Sequence, residues 1–197
     1  KLGLDKNIWF ISNGILHVHD PLKNSVNSHT DNKQFVTAVH CAKDGSTYYG
    51  NLTGQIFKID KRKITTLVVD LSTKYGAKDW YSIQKIIEDH EGNLVFGTSK
   101  AGAGIYKIKE NSSKWLFGME QLNQFLYVRD ILQTQDDEYW FATESGLYIY
   151  NINTEKYINI QKAEHNPWGI SDNAIYNILK DKDGGIWLGT YFGGINY

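Results

Sequence analysis

An all-β fold built from a repeated antiparallel unit is predicted by three features of these 197 residues. Aromatic residues make up 14% of the chain, Gly is common at 18 residues and Pro is scarce at 2. That mixture suits short strands joined by glycine turns. No segment keeps apolar residues at helical spacing, and the best helical candidate, Tyr81 to His90, fits a strand at least as well. Finally, a unit aligned on Trp187 recurs at Trp9, Tyr48, Val95 and Trp140, with spacings of 39, 47, 45 and 47 residues. A strand-built period of roughly 40–50 residues predicts a β-propeller with one four-stranded sheet per blade.

Taken in order, the first copy is truncated: Ile8 to Ser12, an Asn13-Gly14 turn, then Ile15 to Val18. Asn-Gly between two apolar runs is a strong hairpin signal. The second copy starts at Val36 and turns at Asp44-Gly45, and the third starts at Ile83 and turns at Glu91-Gly92-Asn93. The fourth starts at Val128, with Asp136-Asp137 in place of Asp-Gly, and the fifth runs from Ile170 to Tyr197.

Each full copy supplies strands a, b and c from the inside outward. Strand a carries the apolar pairs Val36/Val39, Ile83/Ile86, Val128/Ile131 and Ile175/Ile178, which are expected to be buried between neighbouring blades. Strand b carries the anchor and then, in two copies, Gly-Thr (Gly97-Thr98, Gly189-Thr190). The glycine is expected to permit close packing where blades crowd. Strand c follows Gly54, Gly104, Gly146 or Gly194. The outer strand d falls after c, most clearly at Lys63 to Leu71 and Glu155 to Ile160, where polar residues suit an edge.

The chain therefore reads as a single propeller segment over residues 1–197, with repeat units near 1–33, 34–78, 79–125, 126–169 and 170–197. The first unit lacks strand a and the fifth lacks strand d. This makes four and a half blades, an arc of a larger, seven-bladed ring. Its two open edges are expected to pair with further chain or with another copy. The abrupt start at Lys1 inside patterned sequence points to a piece of something longer.

Charge argues against nucleic acid. The net charge is −1, with two arginines, Arg62 and Arg129, and one tight basic run, Lys61-Arg62-Lys63, read as a solvated turn. Cys41, the single cysteine, rules out an internal disulfide and is expected to be a small buried thiol. No apolar run is long enough to span a membrane.

Trp9, Trp140 and Trp187 are repeat anchors and are read as core. Trp80 and Trp168 lie instead in d-to-a connections, which gather on one face at the mouth of the central funnel. With Asp79, Tyr81, Asp172 and Asn173 beside them, and Tyr127 and Arg129 opening the fourth inner strand, they make a candidate ligand site. Aromatic rings stack on the apolar C–H faces of sugars, and a planar guanidinium suits acidic sugars. The alternative is that these rings cover the blade tops.

Other motifs read as structure. Asp181-Lys182-Asp183-Gly184 lacks the distal ligands of a calcium loop and is a β-turn. His17 and His19 share a strand face, but no third metal ligand is identifiable. Glu88, Asp89, Glu144 and Asp172 are the acids available to a glycosidase, and no spacing pairs two of them. No cofactor, metal or catalytic residue is expected.

The run from Ile170 resembles the two-component regulator propeller repeat. Ile170, Ser171, Asn173, Ile175, Ile178, Asp181, Gly184, Trp187, Leu188, Gly189, Thr190, Gly194 and Ile195 match its pattern. The third copy matches at Asp89, Gly92, Gly97, Thr98, Gly104 and Ile105. The other copies are looser, with Tyr48 for Trp, Ala142 for Gly and Ile11 where the fifth copy has Gly189. The resemblance implies the periplasmic sensor portion of a hybrid two-component regulator of gut Bacteroidetes. Such proteins carry consecutive propellers, a β-sandwich, a membrane helix and cytoplasmic kinase modules, and they commonly sense oligosaccharides. It therefore implies an oligosaccharide ligand, further propeller blades as neighbours, a homodimeric sensor, and membrane attachment only through a downstream helix. A protein-interaction scaffold and a carbohydrate-active propeller enzyme are the alternative readings.

Overall fold

The structure, a computed structural model, describes residues 1–31, 33–75 and 81–197. Five antiparallel sheets follow one another along the chain. The first holds β1 (Ile8–Ser12), β2 (Ile15–Asp20) and β3 (Ser25–Ser28). The second holds β4 (Val36–Cys41), β5 (Thr47–Asn51), β6 (Gln55–Ile59) and β7 (Thr65–Asp70). The third holds β8 (Ile83–Glu88), β9 (Leu94–Thr98), β10 (Ala103–Lys107) and β11 (Ser112–Phe117). The fourth holds β12 (Val128–Gln135), β13 (Glu138–Thr143), β14 (Gly146–Asn151) and β15 (Lys156–Ile160). The last holds β16 (Ile175–Lys180), β17 (Ile186–Thr190) and β18 (Ile195–Asn196).

Single helical turns, α1 (Ser72–Tyr75) and α2 (Met119–Leu122), follow the outer strands of the second and third sheets. Strands lie in chain order within each sheet, so the first sheet supplies b, c and d and the last supplies a, b and c. This is the partial propeller the repeat predicts. The outer strands at residues 63–71 and 155–160 are β7 and β15. The sequence did not single out β3, which is mostly polar and exposed, or β11, whose first three residues are polar and exposed while Leu116 and Phe117 are buried.

Blades meet through their inner strands, and the contact is tight enough to dictate residue size. A Cβ added at Gly50 would lie 2.4 Å from Ile83 of the next blade, and one at Gly97 would lie 2.5 Å from Val128. The fourth blade carries Ala142 at this position, fully buried in one cluster with Ile175. The close-packing role expected of the strand-b glycine is therefore real wherever a blade follows. At Gly189 the nearest atom to an added Cβ is 3.8 Å away, since none of the described blades packs on that face. The same cause explains Trp187, expected to be core but 40% exposed, where Trp9 is 2% exposed.

The repeat's polar residues are turn chemistry. Thr98, Thr143 and Thr190 each donate their hydroxyl to the carbonyl of the glycine that opens or precedes strand c, at 2.9, 2.7 and 2.9 Å. Asp181 accepts the Gly185 N–H at 2.8 Å and the Trp187 indole N–H at 2.8 Å, so its turn is held by its own carboxylate. Asp89 does likewise for Asn93 and also accepts the Tyr139 hydroxyl of the next blade at 3.1 Å. Gly184, at φ 89°, supplies the left-handed step that closes the Asp181 turn.

One irregularity repeats in every complete inner strand. The a–b register slips between Val36 and Ala38, Ile83 and Lys85, Val128 and Asp130, and Ile175 and Asn177. Thr37, Gln84, Arg129 and Tyr176 therefore occupy equivalent bulge positions, and a bulge re-aims a side chain out of the strand's alternation. The position after the bulge ties blades together. Lys85 pairs with Asp130 at 2.6 Å, and Asp130 also accepts the Ile178 N–H at 3.1 Å, linking three inner strands.

The packing at the strand-b glycine gives the first prediction. Gly97→Ala should destabilise the protein by about 1–3 kcal/mol through overpacking, whereas Gly189→Ala should be nearly neutral. Urea denaturation of the two variants checks this. Equal losses would contradict the packing described.

Candidate functional site

In an antiparallel blade that starts at the centre, the d–a connections and the b–c turns share one face. Backbone bonds fix them together there. The b–c turn amide donates to the residue just before strand a in each of four blades: Leu52 to Phe35, Ser99 to Ser82, Glu144 to Tyr127 and Tyr191 to Ala174, at 2.9–3.3 Å. Three variable positions per blade thus converge on the funnel mouth: the residue before strand a, the bulge residue and the b–c turn residue.

In the fourth and fifth blades these positions hold a cation among aromatic rings. The Arg129 guanidinium carbon lies 3.8 Å from the Tyr127 ring centroid and 4.4 Å from that of Tyr176. The Tyr176 ring stacks on Tyr191 at 5.3 Å, and Tyr191 meets Phe192 edge-on at 4.3 Å. Arg129 donates to Glu144, which lies on the b–c turn of its own blade. Burial pulls the Arg129 guanidinium down, but Glu144 and the tyrosines outweigh it and hold it above its ordinary range. Burial pushes the Tyr127 hydroxyl up, with Arg129 opposing. Arg129 Nε is shielded from solvent and has no hydrogen-bond partner.

The residues expected at the site divide. Tyr127 and Arg129 form its centre. Asp172 and Asn173 border it but are committed to the backbone. Asp172 accepts the Ala174 and Phe192 N–H groups, and Asn173 accepts the Lys162 N–H at 2.7 Å. Tyr81 is a correction: it is 3% exposed and packs in the core with Leu71, Ile83 and Phe96, because the chain enters β8 beneath the blade surface. Trp168 is 94% exposed and lies elsewhere. It borders a cleft of about 530 Å³ between the outer parts of the fourth and fifth blades, with Trp140, Leu147, Ile160 and Leu188. Trp80 and Asp79 lie outside the described residues. Sequence reasoning missed Glu144, Tyr176 and Tyr191. Aligning the copies on their apolar pairs would have found Tyr176, since it occupies the position of Arg129 one blade on.

The acids a glycosidase would need do not converge. Glu88 accepts the Lys43 N–H and faces His40, Asp89 is buried under Asn93 and Tyr139, Glu144 binds Arg129, and Asp172 holds the backbone. Among the described residues no group of His, Cys, Asp and Glu is arranged to hold a metal. No helix among them is long and apolar enough to cross a membrane.

Solved structures share the fold. The chain superposes on the extracellular domain of the hybrid two-component system BT4673 from B. thetaiotaomicron with a TM-score of 0.81 at 19% identity. The match covers 98% of this chain and 26% of that one. It also superposes on virginiamycin B lyase from Staphylococcus aureus with a TM-score of 0.72 at 15% identity, covering all of this chain and 67% of the lyase. PorZ, a component of the type-IX secretion system of Porphyromonas gingivalis, gives 0.71 at 15% identity over 98% of this chain and 31% of its own. The chain is thus part of a β-propeller, spanning about a quarter of the length of the BT4673 domain. Residues 169–192 match the family model for the two component regulator propeller, so the closing repeat belongs to the family its motif indicated. No curated protein matches the chain.

The Asp172 contacts carry a pH dependence. The backbone N–H groups of Phe192 and Ala174 hold its carboxyl below the ordinary aspartate range. A depressed carboxylate holds its turn above the unfolded pKa and lets go as pH falls through the folded one. The Phe192 amide resonance should therefore titrate below about pH 4, and Asp172→Asn should abolish that titration. An unchanged titration in the variant would assign it to another group.

Proposed function

We propose that this chain is a ligand-sensing, non-catalytic segment of an extracytoplasmic two-component sensor. It recognises an oligosaccharide at the mouth of the fourth and fifth blades. The observation that carries this reading is the Tyr127–Arg129–Tyr176–Tyr191 column with its exposed extension at Phe192. Sugar rings offer apolar C–H faces to aromatic rings, and their hydroxyls take up polar groups at the rim. Glu144 and Arg129 supply those groups here.

The description of the BT4673 relative as an extracellular domain of a hybrid two-component system, and the two-component regulator repeat at residues 169–192, support the sensor reading. In this reading the domain sits in the periplasm, further blades complete the ring, and a homodimer carries the signal. A ligand that binds one arrangement of the dimer better than another shifts the balance between them. The change then passes through a membrane helix to a histidine kinase.

Calorimetric titration with a panel of oligosaccharides tests this directly. At least one should bind, and Tyr176→Ala with Tyr191→Ala should weaken it by about tenfold or more, since aromatic platforms contribute on that scale. Trp168→Ala should leave it unchanged. Loss of binding on Trp168→Ala alone would move the site to the outer cleft. Hydrolysis or elimination products from the bound sugar would favour an enzyme, and binding only to a protein partner would favour a scaffold.

A further inference from the structure

Resting on the reading of the mouth as a ligand site, we propose that it selects a planar carboxylate, and that Glu144 occupies that carboxylate's place on Arg129 until the ligand arrives. The geometry of the guanidinium leads to this. With ring centroids at 3.8 and 4.4 Å, the guanidinium is packed against Tyr127 and Tyr176, and its N–H edge is the part built to bind a ligand. That edge is half used. Glu144 takes one N–H, from Nη2 to a single carboxylate oxygen, while the Nε–H is buried without a partner. A guanidinium fork is built for two parallel bonds to one carboxylate, and a buried donor left without a partner is costly.

Glu144 is also placed to leave. Its backbone N–H is pinned to Tyr127 at 3.3 Å, but its side chain is 44% exposed on a turn and can swing into water. Asp172, another acid on this face, is instead held in its own turn by the Ala174 and Phe192 amides. A ligand carboxylate coplanar with the guanidinium would take both Nε and Nη2. The rest of the ligand would lie along Tyr176, Tyr191 and Phe192. Lys in place of Arg129 would keep the charge and lose the planar fork.

The test uses three probes on the folded protein: a trisaccharide of uronic acids, its methyl ester, and a tripeptide with a free C-terminal carboxylate. Each is titrated calorimetrically against the unaltered protein, Arg129→Lys and Glu144→Gln, with circular dichroism confirming that each variant folds. The uronate should bind about tenfold or more tighter than its ester. Glu144→Gln should tighten the uronate severalfold relative to the ester, and Arg129→Lys should erase the preference. Equal binding of ester and uronate, insensitive to both variants, would overturn the carboxylate site and leave oligosaccharide sensing standing. Binding of the tripeptide alone, lost in Arg129→Lys, would support the carboxylate site and overturn the sugar. Weaker uronate binding in Glu144→Gln, or no binding of any probe, would overturn the proposal.

Discussion

Crowding between consecutive inner strands is the constraint from which the rest of this structure follows. Strand b of one blade presses against strand a of the next, and Gly50, Gly97 and Ala142 meet Ile83, Val128 and Ile175 there. At the two glycines even a methyl has no room, and the facing residues are apolar and fully buried. The packing explains why the repeat insists on a small residue at one position and a branched apolar pair at another. At Gly189, which none of the described blades covers, the space beside the glycine is open.

The same crowding separates scaffold from function. Inner strands that pack on both sides offer few side chains to solvent, and the repeated bulge breaks their alternation at one place. Thr37 spends its bulge position on the Ile83 carbonyl at 2.6 Å, so it serves as a rivet between blades. Arg129 and Tyr176 use the same position to build a column across two blades. The conspicuous motif residues, Asp181, Gly184, Thr190 and Gly194, are occupied with their own turns. In the proposed reading, the chemistry available to a ligand is held where the copies differ.

Most of the fold was legible because it rests on local signals. The Asn13-Gly14 hairpin, the Asp-Gly turns and the apolar pairs specify strands and their order without knowledge of neighbours. The site was legible only in part. Tyr127 and Arg129, expected from their place at the start of an inner strand, do lie together there. Tyr176 was hidden because the register slip that leaves it unpaired between Ile175 and Asn177 is a property of the strand pairing and not of the local sequence. Tyr191 and Glu144 lie on turns that reach the mouth through backbone bonds to another segment, a tertiary fact. Tyr81 went wrong for the opposite reason: a residue beside a loop was taken as exposed, and the depth of the chain there buries it. Trp187 was expected inside by analogy with Trp9, yet burial of an anchor depends on the blade that follows.

The central claim is that repeated positions hold the propeller together while the bulge and turn positions of the fourth and fifth blades hold the ligand. A footprint by amide and aromatic NMR resonances, recorded as an acidic oligosaccharide is added, tests it most directly. The account predicts shifts at Tyr127, Arg129, Glu144, Tyr176 and Tyr191, with the a–b turns at Asp44, Asp136 and Asp181 on the opposite face unmoved. A footprint centred on those turns, or on the cleft beside Trp168, would contradict it.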